Sequence, residues 1–120
     1  MNYIFDKYGN KKWYNTKGQL HREDGPAIEY KNGDNEWYIN GHLHREDGPA
    51  TEFAGGRFWY IHGKRHREDG PAMEYIDGRK QWFFHGKNHR LDGPAIEYPN
   101  YLKWYIYPSS ARKPRPLGRG

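Results

Sequence analysis

Histidine, arginine and aspartate recur together four times in this chain. His-Arg-Glu-Asp-Gly-Pro-Ala fills residues 21–27, 44–50 and 66–72, and a fourth copy at 89–95 carries Leu91 where the others have glutamate. A histidine and a carboxylate three residues apart could ligate a metal or exchange protons. The competing reading is a structural joint, in which the aspartate accepts turn amides before Gly-Pro, the histidine packs on tryptophan and the arginine pairs with a carboxylate. The fourfold repetition favours the joint, because an enzyme needs one site whereas a stack needs the same connection each time. If each repeat adds two strands, equivalent histidines lie about 10 Å apart, too far to share one tetrahedral ion. Asp24, Asp47, Asp69 and Asp92 are accordingly read as structural turn residues, with no metal and no cofactor expected.

Nucleophilic catalysis finds little support. Cysteine is absent, the serines are confined to Ser109 and Ser110, and Thr16 and Thr51 have no evident base. The glycines punctuate hairpins and open no phosphate-binding helix. The chain is therefore read as a non-enzyme. Its candidate binding residues are Arg22, Arg45, Arg67 and Arg90, with His44, His66, His89 and Leu91 beside them.

The elements that carry these groups follow from the spacing. The linker histidines stand 23, 22 and 23 residues apart, and Trp13, Trp37, Trp59, Trp82 and Trp104 keep nearly the same step. After each Gly-Pro comes Ala, a variable residue, Glu and an aromatic, as in Ala27-Ile28-Glu29-Tyr30, which alternates like a strand with two unlike faces. Asn32-Gly33, Gly55-Gly56 and Asp77-Gly78 mark tight turns. The return strands are read at Trp37-Tyr38-Ile39, Trp59-Tyr60-Ile61 and Trp82-Phe83-Phe84, each closed by a further glycine turn. Glu29, Glu52, Glu74 and Glu97 are expected to form a ladder opposite basic residues. No 3.6-residue period occurs. The fold class is all-β with little or no helix: five antiparallel hairpins in an elongated stack about 45–50 Å long. The first hairpin has one extra residue between Trp13 and Gly18, and the last turns at Pro99-Asn100, so both ends look like caps.

Composition sets limits on this picture. Only 34% of the 120 residues are hydrophobic but 18% are aromatic, which points to a thin core of rings rather than aliphatics. The net charge of +5 is concentrated in the last ten residues, where Arg112, Lys113, Arg115 and Arg119 meet no acid, so residues 1–110 are close to neutral. Residues 1–110 are read as the repeat domain and 111–120 as a disordered basic arm rich in proline and glycine. No apolar run reaches the length of a membrane span or a signal core, and a cytoplasmic protein is expected.

The Trp-Tyr-x-x-Gly-x-x-His-Arg-x-Asp-Gly-Pro-Ala pattern, with Asn-Gly and Asp-Gly turns, resembles the MORN repeat group, and most closely variants found in phages and giant viruses. The likeness covers roughly residues 3 to 107; the Gly-Pro-Ala linker is a departure from ordinary MORN repeats. It implies a hairpin stack with a scaffolding or partner-binding role, a viral origin, and hence the host cytoplasm. The function expected from this is binding, and inhibition or organisation, of a host or viral macromolecule, for example as an anti-defence or anti-CRISPR inhibitor. The alternative is a nucleic-acid or nucleotide binder that uses the Arg/His ladder and the basic tail.

Overall fold

Each Ala-x-Glu-aromatic segment opens a hairpin, and the hairpins line up edge to edge. A computed structural model of the chain describes residues 3–98 and the strand at 102–103. Ten strands form one antiparallel sheet in strict chain order. Its five hairpins pair β1 (Tyr3–Phe5) with β2 (Lys11–Trp13), β3 (Ile28–Glu29) with β4 (Asn35–Glu36), β7 (Thr51–Phe53) with β8 (Gly56–Phe58), β11 (Met73–Tyr75) with β12 (Lys80–Gln81), and β15 (Ile96–Glu97) with β16 (Leu102–Lys103). No helix occurs among the described residues. The principal extents are 56 × 27 × 20 Å and the radius of gyration is 16.8 Å, above the roughly 14 Å of a compact chain this long. The elongated all-β stack expected from the repeat is what forms. The Pro99-Asn100 turn and the arm at 111–120 lie outside the described residues.

The return strands differ from the sequence expectation. They stop just before tryptophan, and the aromatic pair after it starts a second, smaller hairpin. Thus β5 (Tyr38–Ile39) pairs with β6 (His42–Leu43), β9 (Tyr60–Ile61) with β10 (Lys64–Arg65), and β13 (Phe83–Phe84) with β14 (Lys87–Asn88). Tryptophan is the pivot between the two rows. Trp37 donates its amide to the Ala50 carbonyl of the next repeat at 2.7 Å, while its own carbonyl accepts from His44 at 3.1 Å. That second bond turns the chain out of the main ladder. Trp59 and Trp82 are wired identically, to Ala72 and His66 and to Ala95 and His89. The small hairpins close through left-handed pairs, Asn40-Gly41 at φ 49° and 83°, His62-Gly63 at 49° and 79°, and His85-Gly86 at 50° and 83°, the geometry of a two-residue turn that matches strand twist.

The pleat then sorts side chains onto two faces. One row across the main sheet runs Lys11, Glu29, Asn35, Glu52, Arg57, Glu74, Lys80 and Glu97 as successive cross-strand partners. The glutamate ladder opposite basic residues is therefore present, interrupted once by Asn35. On the other face Phe58 sits edge-on to both Phe53 and Tyr75, with ring centroids 5.1 Å apart in each case, and Met73 and Phe83 are buried beside them. Ala27, Ala50, Ala72 and Ala95 have no exposed surface, whereas no large described side chain is wholly enclosed. The core is thin and built of rings, as the composition requires.

Candidate functional site

The four linkers build one motif from the same six residues. In the third, Arg67 Cζ lies 3.8 Å from the centre of the Trp59 ring. Its Nε donates to Asp69 Oδ1 at 3.1 Å, and its Nη1 donates to the Pro71 carbonyl at 3.1 Å and to Glu74 Oε2 at 3.2 Å. The opposite side of the guanidinium is closed by Gly70, where a Cβ would come within 3.0 Å of Arg67 Cζ. Arginine is thus clamped between an indole face and a glycine, with every remaining partner fixed by the Asp-Gly-Pro turn and the strand after it. Arg22 on Trp13, Arg45 on Trp37 and Arg90 on Trp82 repeat this at 3.9, 3.8 and 3.7 Å. Only at the second joint does the glutamate loosen, Arg45 Nη1 and Glu52 Oε2 being 4.0 Å apart. A charged hydrogen bond contributes about 1.5–3 kcal/mol and a partly desolvated cation–π contact about 1–2 kcal/mol, so the joint is a major source of stability in so thin a domain.

The aspartates have a structural partner other than the one expected. Asp24, Asp47, Asp69 and Asp92 each receive an arginine Nε and no turn amide. Turn amides go instead to Asp6, Asn15, Asn32 and Asp77, at the tips of other turns. Each accepts the amide two residues on, the geometry of an Asx turn, and Asp6 and Asn15 also accept the amide four residues on. At Asp6, the Asn10 amide is the main reason its carboxyl is held well below the usual carboxylate range.

His21, His44 and His66 take a backbone partner rather than the expected tryptophan. Nδ1 of His21, His44 and His66 accepts the backbone amide of Asn40, His62 and His85 at 3.0, 2.9 and 2.9 Å. Each of these donors is the first residue of the left-handed turn in the next repeat. Accepting there leaves the ring hydrogen on Nε2, which faces Glu23, Glu46 or Glu68 at 3.4, 3.4 and 3.5 Å. His44 and His66 also stack on the rings of His62 and His85, at 4.5 and 4.4 Å. His89 lies 5.8 Å from the Phe84 ring.

These contacts decide which charges face outward. The four linker arginine side chains are 17–24% exposed, while the linker Glu and Asp side chains of the first three copies are 65–89% exposed. Open grooves separate successive linkers: one is floored by Pro49, Trp59 and Ile61 and rimmed by Glu46, Asp47, Glu68 and Asp69. The next is bordered by Pro71, Trp82, Phe84 and Leu91, and Leu91 is 73% exposed. Among the described residues, no cluster of three His, Asp or Glu side chains could hold an ion.

The chain matches no known family model, no curated protein and no solved structure. Among the described residues, no helix is long and apolar enough to cross a membrane.

Of the candidate binding residues, Arg22, Arg45, Arg67 and Arg90 come together with tryptophans rather than with one another, and His44 and His66 face into the repeat boundary. Among the described candidates, Leu91 projects to solvent. The tail residues Arg112, Lys113, Arg115 and Arg119 lie outside the described residues. Sequence reasoning missed the indole and the glycine as the two sides of the arginine clamp. The signal was available: tryptophan precedes arginine by eight residues in three copies and by nine in the first, where the extra residue falls.

Proposed function

We propose that this chain is a non-enzymatic interaction scaffold whose linker edge binds a protein partner with a cationic surface. The observation that carries this is the direction of charge in the joints. In each of the first three joints an inward arginine sits beside two exposed linker carboxylates, Glu23 and Asp24 in the first, which point to solvent. Complementary charge steers and selects a partner along such an edge, and the grooves between linkers offer tryptophan, proline and Leu91 for apolar contact. Phosphate would meet the same carboxylates unfavourably, so nucleic-acid binding through the Arg/His ladder is the weaker reading. The resemblance to MORN-like repeats of phages and giant viruses supports a role in blocking or organising a host or viral macromolecule, an anti-defence inhibitor being one form of it.

The test is affinity capture from lysate with and without nuclease, followed by measurement of the purified pair. Capture should survive nuclease, and the double variant Glu46→Lys, Glu68→Lys should weaken binding at least tenfold without a comparable change in melting temperature. Capture that nuclease abolishes, or affinity untouched by charge reversal, would refute the proposal.

A further inference from the structure

Beyond binding, three repeat boundaries share one imidazole–amide contact. We propose that His21, His44 and His66 are pH-operated latches that hold each repeat to the next when neutral and release it on acidification. The latch is one hydrogen bond with a fixed direction. Backbone N–H of the turn residue can only donate, so the ring nitrogen it meets must carry a lone pair. Protonation of that nitrogen sets N–H against N–H at the 2.9–3.0 Å now occupied by the bond. The turn amide, in a left-handed backbone at φ 49–50°, then loses its acceptor.

The charged surroundings oppose one another. Glu23, Glu46 and Glu68 face Nε2 and favour the cation in either state of Nδ1. Against it stand Arg45 and Arg67, which line the same groove as His66, and the His62 and His85 rings stacked on His44 and His66. Asp47 and Asp69 also border that groove, each engaged by its arginine. The first latch differs from the others: its turn residue is Asn40 rather than histidine, so no second imidazole stands beside His21. Side-chain exposure falls from 20% at His21 to 10% at His44 and 8% at His66. The second and third latches are therefore the more enclosed, and the first the more open to solvent.

The experiment uses the full chain and reads each latch separately. Nitrogen-detected imidazole spectra at pH 7.5 should show His21, His44 and His66 with hydrogen on Nε2 alone. On lowering the pH to 5.5 at constant ionic strength, the His62 and His85 amides should shift together with protonation of His44 and His66. The folding constant should fall by up to about tenfold per pH unit for each histidine that takes up a proton on release. The variant His44→Asn, His66→Asn keeps an oxygen near the acceptor position without a titrating ring, and should flatten that slope. If the variant does not fold, the imidazole and amide spectra of the parent decide alone. Hydrogen found on Nδ1 at pH 7.5, amides of His62 and His85 that ignore ring protonation, or an unchanged slope in a folded variant would each overturn the proposal.

Discussion

The guanidinium carbon of Arg67 lies 3.8 Å from the centre of the Trp59 indole, and Gly70 stands so close that a Cβ there would come within 3.0 Å of the same carbon. Neither lysine nor a larger residue at position 70 can reproduce that arrangement, because the clamp uses a flat, forked cation between two flat surfaces. Arg67→Ala should lower stability by about 2–3 kcal/mol in a urea titration, the scale of its charged hydrogen bonds with a partly desolvated ring contact. Arg67→Lys should recover less than half of that loss.

Gly70→Ala tests the other side of the clamp. The added methyl would sit within 3.0 Å of Arg67 Cζ, and the flexible arginine would give way first. The expected cost is about 1–3 kcal/mol. In the double variant Gly70→Ala, Arg67→Ala most of that cost should vanish, because the atom displaced is no longer there. Additive losses in the double-mutant cycle would place the strain in the backbone instead.

Leu91 stands where the other copies have glutamate, and nothing in the joint depends on it. Leu91→Glu should leave the denaturation midpoint within about 0.5 kcal/mol of the parent. If the linker edge is the binding surface, the same change should alter partner affinity. A surface-plasmon measurement on the captured partner checks this.

Tyr30 and Tyr38 both donate their hydroxyls to Glu36 Oε1, at 3.1 and 3.2 Å. Burial first, and the Glu36 charge second, push the Tyr30 hydroxyl up to about 12 and raise Tyr38 as well. A phenol whose folded value is raised stabilises the fold fully below its ordinary value near 10, and that contribution is lost as pH rises toward 12. Stability should therefore be flat from pH 8 to 9.5 and fall above pH 10. Glu36→Gln should move the tyrosine absorbance titration to lower pH, Tyr38 and Tyr30 together.

How much of this was legible before the fold was seen differs by level. Ala-x-Glu-aromatic alternation placed β3, β7, β11 and β15, because a strand with one buried face writes its period directly into sequence. The same alternation continues through Trp37 into Tyr38-Ile39, so nothing in the pattern announces that the chain changes rows there. That break is made by the Trp37 carbonyl turning to the His44 amide, a backbone event that no side-chain code records. The aspartates misled for a related reason. Asp before Gly-Pro is a sound turn signal, but Arg67 Nε competes for the same oxygen and, held rigid by Trp59, wins it. Linker acids outnumber linker arginines seven to four, but a count of charges does not say which sign faces solvent. Only the clamp reveals that one sign faces inward and the other outward.

The tryptophan pivot, with one backbone bond forward to the next alanine and one to its own histidine, has a consequence for how such a chain can change over time. Each joint draws its partners from its own unit and the adjoining one, so the wiring is indifferent to how many units stand on either side. Duplication or loss of a segment cut between equivalent positions, such as from His44 to Arg65, would rejoin Trp and Ala with the same bonds. Copy number is thereby uncoupled from fold, and the length of the linker edge can be drawn out or shortened by recombination while every remaining joint stays intact.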